Sequence, residues 1–407
     1  MKIAKVTTVY PQYPAGLYKQ HPHLLKAPYA EQLTAVHFDA FGWADYWSNA
    51  LAPLGYSTTE IIGNIAPLQR AWAAENGVRS DTDMLDMVKL QILKVHPDIL
   101  FMDDYSMFPE AWVRSVRQDC ASIRTVLGWC GAPCRDRSVF KSYDVVLTNI
   151  PELAVQFREL GLRCEHLKHA FDPRILSRIP KERKISIPFS FVGQVNRGRQ
   201  AHQERERLLI EMSKSVDLAI FSPLPPGGSV SFAKVIAKQA AYLAVSGLRK
   251  LGLKDGAFSR LQVLNKAAKW DEFPVAPVHP ELAPYFRAGV FGLAMFQTLR
   301  SSSVTLNIHI DLSKSSASNM RLFEATGAGA CLLTDMKDDL PEMFELDREV
   351  VAYRNADECK EKARWLLDHP AEREAIALAG QKRTLKEHTF EQRATKMDAI
   401  IKRELKR

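Results

Sequence analysis

The sequence predicts an α/β protein of two domains, each a doubly wound parallel sheet. Three observations carry this. The 407-residue chain is longer than one ordinary core serves, so two domains of about 170–230 residues are expected. Its first half alternates strand-like apolar runs with helical patterns, the signature of repeated βα units. Ser303 to Asp335 reads as strand, loop, helix and strand, and the crossover between two such strands requires parallel pairing.

In chain order, Ile3 to Val9 reads as the first strand, followed by a Pro/Tyr/Gly loop from Tyr10 to Pro28. Helices are expected at Tyr29–Ala40 and Trp43–Leu54, the latter closed by Gly55, a residue suited to the left-handed C-cap position. Ser57–Ile62 is a strand and Asp83–Val95 a helix. Strands follow at Ile99–Met102, Thr125–Trp129 and Asp144–Thr148, then a helix at Pro151–Leu160 with proline in its first turn. His169-Ala170-Phe171-Asp172-Pro173 breaks the pattern ahead of the charged stretch Lys181–Lys184, and the domain boundary is placed there. The first domain is thus 1–170 and the second 186–388, with 389–407 a C-terminal helix.

The second domain opens on the strand Ile187–Val192, ending at Gly193, and its next loop is Gln194-Val195-Asn196-Arg197-Gly198-Arg199. Helix 201–214, strand Asp217–Phe221 and the turn Ser222–Gly228 come next. After a basic segment, helix 286–299 leads to the strand Val304–Ile310, a polar loop Asp311–Asn319, a helix carrying Met320, Phe323 and Ala328, and the strand Cys331–Asp335. A strand at Glu349–Tyr353 and helices at 357–368, 371–385 and 390–405 complete the chain.

Composition narrows the function classes. Hydrophobic residues make up 46% and charged residues 25%, the balance of a soluble globular protein. No apolar run approaches the length of a spanning helix, and the N-terminal run is too short for a signal peptide. The net charge of +8 is concentrated: residues 229–270 hold eight Lys/Arg and the single acid Asp255. The rest is nearly neutral, so nucleic acid is not an expected partner. The segment suits an anionic membrane or an anionic acceptor, or else a solvated helical insertion. The six cysteines are scattered, and Cys130 and Cys134 have no second pair nearby. Reduced thiols in a cytoplasmic protein are therefore expected rather than a metal site.

In doubly wound sheets ligands collect beyond the carboxyl ends of strands, at helix N-termini. That corner holds His309, Ser318, Asn319, Met320, Arg321 and Glu324. Asn319 can cap the helix, and the same position suits phosphate oxygens. Arg321 and Glu324, three apart, share a helix face; they form a structural ion pair or a ligand clamp. Arg197 and Arg199 flank a glycine, where a guanidinium fork can reach a diphosphate. In the first half Asp103, Asp104, Tyr105, Trp129 and Asn149 end strands, while His21, His23 and His37 lie in or just after the first loop. Any could serve near an acceptor, and turn chemistry is the plainer reading of each.

The run L-N-x-H at 306–309, followed by N-x-R-x-F-E-A-x-x-x-G-A from Asn319, H-P-x-E-R from His369 and E-H-T from Glu387, resembles the GT-B glycosyltransferases. More narrowly it is similar to the bacterial spore-maturation-protein-type members. The likeness covers about 110 residues well, and HAFDP resembles the family's interdomain junction. It implies two Rossmann-like domains facing a cleft, the first for the acceptor and the second for a nucleotide-diphosphate sugar, with the last helix crossing back to the first domain. On the expected donor site the diphosphate sits against Ser318–Arg321 with Arg199 or Arg197 opposite, Gly193 is a further donor-binding residue, and the Pro223–Leu224 turn faces the nucleobase. Retaining GT-B families carry Glu-x7-Glu with the second Glu on the ribose, and Glu324 matches it. Ser316 stands where the first would be, so no stereochemistry follows.

The expected activity is transfer of a sugar from a nucleotide-diphosphate donor to a glycan, lipid or small-molecule hydroxyl, with no cofactor or metal and with Asp104 or His21 near the acceptor. The setting would be the bacterial cytoplasm, on cell-surface glycan, with a peripheral membrane contact through 229–270. Two other readings stay open: a GT-B-fold nucleotide-sugar isomerase, and a non-catalytic protein binding anionic surfaces or polymers.

Overall fold

The structure is a computed structural model that describes residues 1–132, 134, 136–195, 203–223, 232–251, 253, 262–268, 270, 273–274 and 278–407. Among the described residues, twelve strands form two six-stranded sheets. The first contains β1 (Lys2–Thr7), β2 (Ser57–Ile62), β3 (Ile99–Met102), β4 (Thr125–Trp129), β5 (Val145–Thr148) and β6 (Cys164–His166), in the order β2-β1-β3-β4-β5-β6. The second contains β7 (Ile187–Val192), β8 (Leu218–Phe221), β9 (Phe286–Arg287), β10 (Ser302–Asn307), β11 (Cys331–Asp335) and β12 (Val351–Tyr353), in the order β12-β11-β10-β7-β8-β9. Every pairing is parallel. Helices cover both faces of such sheets, so strands inside them are buried on both sides: β3, β4, β5 and β10 are buried along their whole length.

The joint between the domains is built from the chain's end. Phe171 donates its N–H to His388 O and accepts from Phe390 N–H. Helix Phe390–Leu405 then lies against helix Tyr46–Leu51 of the first domain, and the Tyr56 hydroxyl donates to Asp398 at 2.8 Å. The E-H-T motif serves this joint: Arg393 donates to His388 Nδ1, leaving Nε2–H to donate to Met343 O, while Thr389 and Gln392 form a capping box. In H-P-x-E-R, buried Arg373 donates to the last carbonyls of the preceding helix, Leu366 O and Leu367 O.

Gly327, on helix Arg321–Gly327, abuts the same joint. A Cβ there would sit 2.3 Å from the Phe171 ring. We expect Gly327→Ala to lower stability, because displacing a packed ring costs about 1–3 kcal/mol and exceeds the roughly 1 kcal/mol that alanine gains in a helix. Thermal unfolding of the two proteins checks this; an unchanged or raised midpoint contradicts the packing.

Several sequence expectations are corrected. The segment from Tyr10 to Pro28 is helical at Gln12–Gln20 and forms a 3-10 turn at Pro22–Lys26. Pro14 falls in the first helical turn, where its missing N–H costs little, and Tyr13, Leu17 and Tyr18 bury one face. Trp43–Leu54 is helical only from Tyr46 to Leu51; Pro53 forces a 3-10 turn, and Gly55 (φ 86°) closes it. Phe286 and Arg287 are strand, and the following helix starts at Gly292. β10 ends at Asn307, so His309 lies beyond it.

Candidate functional site

In the first sheet the chain leaves β1 toward β2 and returns to its other side as β3; in the second it leaves β7 toward β8 and returns as β10. At each reversal the connections run to opposite faces and a crevice opens beyond the strand ends. The residues there are Thr7, Thr8, Val9, Asp103 and Asp104 in one domain and Val192, Gly193, Asn307 and Ile308 in the other. All of them line one interdomain cleft of about 590 Å³, within the usual range for small-molecule sites.

The second domain's wall is cationic at two points. Arg321 opens helix Arg321–Gly327; its Nε donates to Val192 O at 3.1 Å and its Nη1 lies 2.9 Å from Glu324 Oε2. Burial raises the Glu324 carboxyl above its ordinary pKa, and Arg321 restrains that rise. Arg205, on helix Gln203–Ser213, donates to Gln194 O and Ile308 O, both at 2.7 Å, and stacks 5.6 Å from the centre of the Phe191 ring. Its burial pushes it down to about 10.

The first domain's wall is acidic and aromatic. Asp104 accepts from the Thr8 hydroxyl, the Ser106 N–H and hydroxyl, and Met107 N–H. Asp103 accepts from Thr7 Oγ1 at 2.9 Å, and burial pushes it up to about 6 against the pull of Lys5. His169 packs against Trp43 and Trp129, and burial pushes it down to about 3. Among the described residues five on the cleft carry buried polar atoms without a partner: Trp43 Nε1, Asn149 Oδ1, His169 Nδ1, Arg205 Nε and Asn319 Oδ1. Such atoms cost about 1–3 kcal/mol each when left unmatched, so their clustering on both walls marks a place for a polar ligand.

Of the residues singled out in the sequence, Asp103, Asp104, Tyr105, Trp129 and Asn149 in the first domain and Gly193, Ser318, Asn319, Met320, Arg321 and Glu324 in the second line the cleft. Asn319 is not the cap, however. Met320 occupies that position, and Asn319 Nδ2 donates instead to Asn307 Oδ1 at 2.7 Å. Ser318 is held across the domains by Asn149 Nδ2, which donates to its carbonyl. Ser316, where a glutamate was expected, donates to Glu152 Oε2 at 2.6 Å, and the Ser315 N–H and hydroxyl donate to Glu152 Oε1. A carboxylate from the first domain thus grips the loop. His21 is exposed between the first helix and its 3-10 turn, facing His23 and away from the cleft lining. Pro223 lies against Gly289 rather than on the cleft wall. Arg197, Arg199 and Leu224 lie outside the described residues. Arg205 carried no sequence signal, being one charge in a run of them.

His309 is likewise not part of the wall. Its Nδ1 meets Asp335 Oδ1 at 2.6 Å, and Lys337 lies 3.2 Å from Asp335 Oδ2. Burial opposes ionisation of Asp335, but His309 and Lys337 outweigh it and hold the carboxyl at about 2. A folded pKa below the unfolded value gives stability that is present above pH about 4 and lost as pH falls toward 2. Asp335→Asn is therefore expected to be less stable than the parent at neutral pH, with the gap closing below pH about 3. Denaturant midpoints across that range measure it; a constant gap contradicts the pairing.

Comparison with solved structures decides the architecture. A glycosyltransferase from Rickettsia africae aligns over 100% of this chain and 98% of its own, at 10% identity and a TM-score of 0.54. Sucrose-phosphate synthase from Thermosynechococcus elongatus aligns over 99% and 98%, at 12% identity and 0.54. The chain has the GT-B fold. Another GT-B neighbour, HepE from Anabaena in complex with UDP and glucose, aligns over 99% of both chains, at 9% identity and a TM-score of 0.50. Residues 248–399 match the family model described as Glycosyl transferase-like. No curated protein sequence matches the chain. Among the described residues no helix is long and apolar enough to cross a membrane.

Proposed function

We propose that the protein is a glycosyltransferase that moves a sugar from a nucleotide-diphosphate donor to a hydroxyl of a polysaccharide, glycolipid or small molecule. The observation that carries this is the shared cleft: two switch points open onto one cavity, cationic on one wall and acidic on the other, with orphaned polar atoms on both. The match to a glycosyl transferase-like model over 248–399 supports it, as does the neighbour bound to UDP and glucose.

The donor diphosphate rests against Ser318–Arg321 and Gly193. The first-turn N–H groups and the Arg321 fork meet its oxygens. Glu324 accepts from the ribose hydroxyls. As the glycosidic bond breaks, negative charge grows on the leaving diphosphate, and Arg321 and Arg205 are fixed where it develops, so no metal ion is required. On the acceptor wall Asp104 already accepts four hydrogen bonds that shape its turn. Asp103, with its raised pKa, is better poised to take a proton from the attacking hydroxyl. The motifs of the final third support the narrower spore-maturation-protein-type reading, which implies cytoplasmic work on a bacterial cell-surface glycan.

A panel of nucleoside diphosphates and their sugars, read by melting temperature, tests the donor half. One nucleotide should stabilise the parent, and Glu324→Ala less. Absence of any shift together with no turnover of donor sugars in the presence of candidate acceptors overturns the proposal. Conversion of a donor sugar without acceptor points instead to an isomerase.

A further inference from the structure

The chain between β8 and β9 is the largest feature that sugar transfer leaves unused. Helix Phe232–Lys250 packs Ala241 and Val245 against Ala267 of helix Gln262–Ala267, with Leu248, Leu264 and Trp270 beside them. This small core is separate from those of the two sheets. The helix has a second apolar face turned away from it. Ile236, Ala240, Leu243, Gly247 and Leu251 recur at three- and four-residue spacing and are all exposed, and exposed Ala237 and Ala244 widen the stripe. Ile236 is 63% exposed, Leu243 59%, Leu251 79%, and Val263 on the neighbouring helix 65%. Leaving a leucine-sized side chain in water forgoes about 1.5–3 kcal/mol of burial, so this face is not explained by folding.

We propose that this face docks the protein on an anionic bilayer surface. Charge selects the occupant. Residues 229–270 carry eight cations and one acid; a second copy would bring two such segments together, whereas an anionic headgroup layer neutralises one. Lys250 borders the stripe, Lys266 lies one turn from Val263, and both are exposed. Lys238 and Arg249 lie on the side of the helix away from the stripe, and Arg249 donates there to Ala268 O at 2.7 Å. A nineteen-residue helix with one charged flank lies in the interface rather than across it. The segment departs from the carboxyl end of β8, which pairs beside the end of β7 at the cleft.

Flotation of the full chain with vesicles tests this directly. The arms are neutral phosphatidylcholine vesicles and the same vesicles with about 30 mol% phosphatidylglycerol, at low and high salt. Binding is expected only to the anionic vesicles and is expected to weaken with salt. The pair Ile236→Glu and Leu243→Glu, both on exposed positions, should reduce it at least about tenfold while leaving the melting temperature unchanged. Equal flotation of parent and double variant overturns the proposal, as does failure to float or equal binding to neutral vesicles. A dimer in sedimentation that the double variant abolishes assigns the face to a second copy instead and also overturns it.

Discussion

Arg321→Ala is expected to weaken nucleoside-diphosphate binding by about 10- to 100-fold, since a hydrogen bond to a charged group is worth about 1.5–3 kcal/mol. Turnover should fall further, by about 10²–10³, the usual loss when one fixed donor to a developing anion is removed. The side chain is 16% exposed and already tied to Val192 O and Glu324, so part of its value lies in being held before the ligand arrives. Its loss has a second consequence. Glu324 is buried, with a raised carboxyl that only Arg321 restrains. In the variant that carboxyl rises further, and while ionised it repels the diphosphate. Residual nucleotide binding to Arg321→Ala should therefore improve as pH is lowered, whereas the double variant with Glu324→Gln should not respond. Arg321→Lys should recover the charge but not the two-pronged geometry. Isothermal titration at two pH values, with melting temperatures as a folding control, reads all of this. Unaltered affinity in Arg321→Ala removes the residue from the donor site.

Lys5→Met is expected to cost about 3–5 kcal/mol of stability, the typical result of breaking a buried charge pair by removing one partner. Lys5 lies in the middle of β1, 1% exposed, yet its ammonium is 2.9 Å from Glu60 Oε2 on β2 and 3.8 Å from Asp103 Oδ2 beyond β3. Burial works against its charge, but Glu60 and Asp103 outweigh it and raise its pKa. Without it two carboxylates of the network lose their counter-charge. The sign follows from Asp103, whose carboxyl burial already raises: in the native variant it binds a proton that the unfolded chain has released, so the penalty shrinks as pH falls below its pKa. The variant should therefore compare better with the parent near pH 5 than near pH 8. Denaturant unfolding at both values measures it; a pH-independent loss would mean that the methionine is simply misfitted. Asp103 belongs to this network and lines the cleft, so turnover in the variant should also shift its pH profile.

The local signals in the chain were strong where one element's physics suffices. β2, β3, β4, β7 and β11 have the bounds their local patterns predict; β3, Ile-Leu-Phe-Met, shows why, since a strand covered on both faces reads as an unbroken apolar segment. Gly55 closed its turn because only a residue without a side chain accepts that backbone cheaply. Arg321 and Glu324 were legible as a pair because helix spacing puts them on one face. The failures share a cause. Pro14 and Gly16 looked like breakers, and the helix at Gln12–Gln20 survives because Tyr13 and Leu17 find a core that no local pattern shows. His309 looked like a site residue from its distance to a strand end, but Asp335, twenty-six residues on, claims its ring.

By itself, then, the sequence determined two parallel-sheet domains, the strand–loop–helix unit holding Ser318–Glu324, and the concentration of basic charge in 229–270. These depend on periodicity and composition, which act over a few residues. Only the tertiary structure decided that Asp103, Asn149, His169 and Arg205 share the cleft with Arg321, that Glu152 from one domain grips Ser315 and Ser316 of the other, and that the basic insertion shows an apolar stripe to solvent. Each of those facts joins segments far apart in the chain or depends on which helix face finds a partner. Burial and pairing are properties of the assembled fold, and no local pattern carries them.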